Sequence, residues 1–332
     1  MKNLFAICAF FCCISCATKD TQNNKRQTNR ENIVNVQEQV QEIICSDVLI
    51  GAIAQPYVFD SLMMIVDYKS TDKLIHVFNK DSFQYLYSFA DFGQGPEEIA
   101  GIGAIAWNPE AHEIYAADYG QRKILSYNID SIAENRQSYS PNIKLKFMGT
   151  EIPDRYHYVN DTLVYGAFVK IVGSSFQQTS GKWNMTTGEV ILNDYIHPDN
   201  SKKRIAFDVS PRHDRIIECN RRYDLITLYK TNGELLYNIY GPNWNENGDS
   251  KEHFSDVAVC NDKIIASYVG EDWQANEGAK QFHVFNMEGD YLKTLVLNRR
   301  INRFCCDESR NRLIINFDSE MQFGYLDLSA LI

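Results

Sequence analysis

The stretch FGQGPEE, residues 92–98, is the first in this chain whose residue types could hold chemistry. A dinucleotide cradle needs G-x-G-x-x-G between a strand and a helix, so that backbone N–H groups converge on phosphate. Here Gly93 and Gly95 are present and the third glycine is not. Pro96 interrupts, and no helical periodicity follows. No Lys-Ser or Lys-Thr follows to make a P-loop. The stretch is expected to be a corner, with glycine allowing unusual backbone angles and proline stiffening the turn. The other reactive patterns are missing too. The seven histidines make no H-E-x-x-H and no close pair, so no metal is expected, and His112 and His213 read as turn residues. There is no EF-hand calcium loop and no G-x-S-x-G nucleophile elbow. No cofactor is implied.

Loops rich in aromatic and charged residues remain. Tyr119-Gly120-Gln121-Arg122 is one. Asn220–Asp224 brings Arg221, Arg222 and Tyr223, and the long 270–277 segment brings Glu271, Asp272 and Trp273. Asp154-Arg155-Tyr156-His157 and Gly241–Asn245, with Trp244, are similar. Flat apolar rings beside convergent hydrogen-bonding groups suit a sugar or a peptide. The candidate ligand contacts are therefore Tyr119, Arg122, His157, Arg221, Arg222, Tyr223, Trp244, Glu271, Asp272 and Trp273, with Arg222 and Trp273 foremost.

The elements that must position these loops recur along the chain. A polar turn residue, any residue and two apolar residues open a strand at Ser61, His112, Asp161, Asp214, Asp262 and Asn311. The spacing runs from 48 to 53 residues. Inside the units, Asn232-Gly233, Glu288-Gly289 and Thr187-Gly188 are hairpin-turn signals. Each unit reads as four antiparallel strands, and such units at this period describe propeller blades. The fold expected is all-β, a six-bladed β-propeller of four-stranded antiparallel blades. The last unit, from Ile301, has only three strands. Residues 32–47 (NIVNVQEQVQEIICSD) are expected to add the fourth and close the ring; a short amphipathic helix over 33–46 is the alternative. Loops between blades, and between second and third strands, emerge on one face, which is where binding is expected. Asp67 and Asp118, each ending a second strand, read as loop caps, and otherwise as acids for an axial active site.

The glycine corner, then Ile105-Ala106, the strand Ile114–Asp118, the polar Tyr119–Arg122 and the strand Ile124–Tyr127 together resemble the repeat of NHL-type propellers. More narrowly, GQGPEE behind a lipoprotein-like start is similar to the six-bladed, TolB-like propeller lipoproteins of gut Gram-negative bacteria. The resemblance implies fold and location; it brings no biochemical activity with it.

Lys2 and the apolar Leu4–Ile14 make a secretory signal, too short to span a bilayer, which needs about 20 residues. Cys13-Ile14-Ser15-Cys16 resembles a lipoprotein cleavage site, departing from it at Cys13, where Leu is usual. Cys16 is then the lipidated residue and the membrane anchor, on either face of the outer membrane; Ala17 lacks the inner-membrane retention Asp. Residues 17–31 are almost wholly polar and are expected to be a disordered tether, with the propeller over 32–332. Of 332 residues 44% are hydrophobic, enough for a large core, and the net charge of −10 argues against nucleic acid. Nine cysteines leave five in the mature body, Cys45, Cys219, Cys260, Cys305 and Cys306, which allow one disulfide of unspecified pairing. The function expected is a lipid-anchored, monomeric binding or interaction module for a glycan, a peptide or an envelope protein. The alternative is a sugar or lactone lyase or hydrolase with an axial active site.

Overall fold

The computed structural model describes residues 23–332 apart from 137, 148, 174, 199–202 and 246–249. The signal segment and Cys16 lie outside the described residues.

Alternating apolar residues in short runs, broken by Asp, Asn and Gly turns, favour strands. Blade 1 is Ala54–Phe59, Leu62–Asp67, Lys73–Asn79 and Tyr85–Asp91. Blade 2 is Ile102–Asn108, Glu113–Asp118, Lys123–Asn128 and Asn142–Lys146. Glu151–Asn160, Leu163–Val172, Ser175–Trp183 and Val190–Leu192 form blade 3. Ile205–Ser210, Arg215–Asn220, Leu225–Tyr229 and Leu235–Tyr240 form blade 4. Blade 5 takes Lys251–Cys260, Lys263–Asp272, Ala279–Asn286 and the first part of Tyr291–Asp307. The rest of that long strand opens blade 6, which adds Arg312–Phe317 and Phe323–Asp327. Within each blade, successive strands pair antiparallel. The hairpin glycines Gly188, Gly233 and Gly289 have φ of +81°, +98° and +81°, which only a residue without Cβ adopts freely.

Six apolar cores lie between the sheets, and each is shared by two successive blades. Val77 and Ile105 belong to the core between blades 1 and 2. Val284 and Leu313 belong to that between blades 5 and 6, and Ile314 and Met63 to that between blades 6 and 1. A lone blade exposes both faces; in this arrangement both are covered.

The N-terminal segment runs along the outer edges of three blades. Asn24–Arg26 pairs parallel with 238–240, and Ile33–Asn35 with 294–296. Gln41–Glu42 pairs antiparallel with Tyr325 and Gly324. A single 3-10 turn, Gln37–Gln39, falls between the last two, where the alternative reading had placed a helix. Disorder was expected through residue 31, and residues 24–31 are ordered instead. Composition misled because this stretch needs no apolar face: it gains backbone hydrogen bonds at a sheet edge. Lys25 lies over the Tyr237 ring at 4.2 Å and Arg26 over Tyr240 at 4.7 Å. Arg30 forms a 2.8 Å ion pair with Asp224, their side chains 6% and 0% exposed.

Cys260 and Cys306 form a disulfide between the inner strands of blades 5 and 6. Residues 92–101 turn the chain from blade 1 into blade 2. Neither Gly93 nor Gly95 has positive φ. The space is used by Glu98, whose carboxylate accepts from Gly95 N at 2.7 Å; a Cβ on Gly93 would sit 1.9 Å from Glu98 Oε2.

Candidate functional site

All six inner strands contribute to one cavity of about 760 Å³ on the propeller axis. It opens on the face carrying the turns between first and second strands, where Asp60, Pro109, Arg212 and Glu308 form the rim.

One flank is aromatic. Tyr57 and Phe59 stack at 5.8 Å, Phe59 and Trp107 at 6.0 Å, and Trp107 and His112 at 5.9 Å, all with interplanar angles below 30°. Alternation along inner strands 54–59 and 102–108 places these rings on one side. The ladder climbs from the cavity toward solvent at His112.

The other flank is ionic. Arg155 Nη1 donates to Asp256 Oδ1 and, at 3.3 Å, to the Val257 carbonyl. Their side chains are 24% and 7% exposed. Asp256 Oδ1 also accepts from Val257 N at 2.9 Å, while its Oδ2 is buried with no partner among the described residues. Asp208 Oδ2 accepts from Val259 N at 2.7 Å. Burial works against the Arg155 guanidinium, but the charges of Asp256 and Asp208 outweigh it and raise its pKa further. Burial pushes the Asp208 carboxyl above its ordinary range, opposed by Arg155 and by the Val259 N–H. It pushes His157 below the ordinary imidazole range, opposed by Asp208. His157 lines the cavity and is exposed there. At the rim the charges are paired: Arg212 grips Glu308 through two bonds of 2.9 and 2.7 Å. Lys80 and Arg312 hold Asp307 at 3.5 and 3.0 Å.

Of the residues expected from sequence, His157 lines this cavity and the other nine do not. Asp154–His157 was read as a loop between blades. It lies inside the inner strand Glu151–Asn160, where a register shift between Pro153 and Arg155 bulges the strand. The rest belong to the opposite face, where binding was expected. Arg222 lies over Trp273 at 5.5 Å, and Tyr223 packs on Trp244 at 5.3 Å. Arg221 is paired with Glu252 at 2.8 Å. Three candidates have structural duties. The Tyr119 hydroxyl donates to the Asp154 carbonyl at 3.0 Å. Arg122 holds the carbonyls of Phe147 and Gly149 beside the outer strand of blade 2. Asp272 caps the turn Trp273–Ala275, accepting from Gln274 N at 2.9 Å. Glu271 stands opposite Glu252 in the sheet. Asp67 and Asp118 accept loop N–H bonds from Lys69 and Ser70, and from Gly120 and Gln121, as caps do.

Sequence reasoning missed Tyr57, Trp107, Asp208 and Asp256. A signal existed: Asp208 follows Ile205-Ala206-Phe207, and Asp256 precedes Val257-Ala258-Val259, so each acid borders an apolar run of an inner strand. Among the described residues, no group of three or more His, Cys, Asp or Glu is placed to hold a metal, and no helix is long and apolar enough to cross a membrane.

Four-stranded sheets packed face to face around a charged axial cavity define a β-propeller. The TolB-like six-bladed propeller model matches residues 28–309, and the chain belongs to that family. Among solved structures it is similar to an exported protein of Bacteroides fragilis described as putative, at 13% identity and TM-score 0.57, over 88% of this chain and 87% of that one. It is similar to a DUF4221 family member from Bacteroides vulgatus at 10% identity and TM-score 0.58, over 86% and 94%. A luciferin-regenerating enzyme also matches, at 8% identity and TM-score 0.56, over 87% and 95%. At these identities the likeness concerns the fold. No curated protein matches the sequence.

Proposed function

We propose that this chain is an exported, lipid-tethered propeller that binds a neutral, hydroxyl-rich ligand, a saccharide, in its axial cavity. One observation carries the reading. The stacked ladder Tyr57–Phe59–Trp107–His112 faces a wall whose charges are already largely paired, through Arg155–Asp256 and Arg212–Glu308. A pyranose offers the matching surfaces, a flat C–H face for the rings and hydroxyls for Asp208 and the paired groups. Calorimetric titration of the full chain with neutral oligosaccharides tests it. Phe59→Ala and Asp208→Asn should each weaken binding at least tenfold with the protein still folded. Equal affinity in both variants would remove the cavity from consideration.

The Asp208–His157 pair favours a second reading, hydrolysis or lyase chemistry in the same cavity. A raised carboxyl facing a neutral imidazole can pass a proton. If the bound saccharide is cleaved and Asp208→Asn abolishes cleavage, the enzyme reading replaces the binding one. If it is recovered intact, binding stands.

The address belongs to the same proposal. It is supported by the basic and apolar start ending at Cys16 and by the resemblance to propeller lipoproteins. Cys16→Ser should move the chain from the membrane fraction to the soluble one. Residues 24–43 would then act as a clasp, with Gln41–Glu42 as the outer strand of blade 6.

A further inference from the structure

The face opposite the cavity carries an unusual charge arrangement for a chain of net charge −10. Three arginines meet on blade 4. The Arg204 carbonyl accepts from Arg221 N at 2.9 Å, and Arg222 follows in the chain. Arg221 is offset by Glu252 at 2.8 Å. Arg204 and Arg222 have no acidic partner among the described residues. Each guanidinium instead lies over a ring, Arg204 on Phe176 at 3.7 Å and Arg222 on Trp273 at 5.5 Å. Burial, then the charges of Arg222 and Arg221, pull the Arg204 pKa down, which marks mutual repulsion left uncompensated.

The parts are held in place. Asn220 Oδ1 accepts from Arg222 N at 2.9 Å and from Tyr223 N at 3.1 Å, which fixes the loop. Trp273 N donates to the Ser250 carbonyl at 2.8 Å. Trp273 keeps 49% of its surface exposed. A guanidinium lying over a ring still presents its donor edge, and such a fork matches a planar oxyanion. A half-open indole beside them offers a face for a sugar ring.

We propose that these loops of blades 4 and 5 bind an acidic saccharide, with Arg204 and Arg222 taking its carboxylates and Trp273 its ring. This site is separate from the axial cavity and does not depend on how that cavity is used. It also gives Arg222 and Trp273 a shared role that neither loop shows alone.

The test is titration of the full chain with a galacturonate oligosaccharide, a neutral cello-oligosaccharide of the same length and an oligoglutamate of the same charge. The galacturonate should bind most tightly, and more weakly as salt is raised. Arg204→Gln with Arg222→Gln should cost at least tenfold, and Trp273→Ala several-fold. Arg204→Lys with Arg222→Lys keeps the charge and loses the fork, so it should fall between wild type and the Gln pair. Arg310→Gln, on the other face, should change nothing. Melting temperatures verify folding, and the Lys pair serves if the Gln pair does not fold. Wild-type affinity in both double variants, or no galacturonate binding at all, would overturn the proposal. So would equal binding of oligoglutamate, which would show that charge alone is read. Binding to phosphatidylglycerol vesicles without binding to galacturonate would assign the patch to a membrane surface instead.

Discussion

Arg155, on the inner strand of blade 3, is ion-paired with Asp256 on the inner strand of blade 5, so the pair bypasses the inner strand of blade 4. It passes Asp208 on the way, and that charge helps hold the guanidinium protonated. One side chain thus ties the inner strands of blades 3 and 5 together.

Removing either partner leaves a largely buried charge alone. Asp256→Ala or Arg155→Met should each cost about 3 kcal/mol, in the range for one-sided loss of a buried pair. The double variant should cost less than the sum, with a coupling energy above about 1 kcal/mol. Urea unfolding of the four proteins measures it. Simple additivity would mean that the pair is solvated and contributes little.

Arg30 and Asp224 make a drier pair at the outer edge. Asp224 Oδ1 lies 2.8 Å from Arg30 Nη1, and the arginine also meets His283 Nδ1 at 3.1 Å. Arg30→Met should lose about 3–5 kcal/mol. Asp224→Asn made alongside it should recover part of that loss. Thermal unfolding of both variants decides the point.

Acid should destabilise this protein through its histidines. Burial lowers the pKa of His283, His157 and His76. A histidine depressed in the folded state takes its proton more readily once unfolded. Its contribution is therefore complete above about pH 6.5 and is lost as pH falls through the window below. Stability should fall by up to about 1.4 kcal/mol per pH unit for each such histidine in its window. His157→Gln should flatten the slope. Asp208 acts in the opposite sense: with its carboxyl raised, its contribution is complete below the ordinary carboxylate range and is lost as pH rises through the raised value. Equal stability at pH 5 and pH 7 would contradict the histidine prediction.

The Cys260–Cys306 disulfide spans 46 residues of sequence. Replacing both cysteines with serine should cost about 2–4 kcal/mol. Dithiothreitol should lower the wild type by a similar amount and leave the double variant unchanged, with guanidinium unfolding as the measure.

The architecture was legible because it is written locally and repeatedly. The six turn patterns fall where second strands begin, at Leu62, Glu113, Leu163, Arg215, Lys263 and Arg312. Gly93 and Gly95 were rightly read as a corner, though for a different reason: room for Glu98 rather than backbone angles. The axial site was not legible because closing the ring assembles it. Asp208 and Asp256 are 48 positions apart, and nothing local says that both face one axis. The bulge before Arg155 depends on pairing with 163–170, so Asp154–His157 looked like loop. Aromatic loops drew attention to the other face, which they do furnish; the cavity is on the face with the plainer turns.

The outer-edge strands of the N-terminal segment set an order on synthesis. Residues 24–43 leave the ribosome long before their partners, which lie at 238–240, 294–296 and 324–325. Contacts so distant in sequence form late, after a large loop-closure cost. Asn24–Arg26 must wait for blade 4, Ile33–Asn35 for blade 5 and Gln41–Glu42 for blade 6. The last of these contacts, at 324–325, therefore forms only once nearly the whole chain has been made.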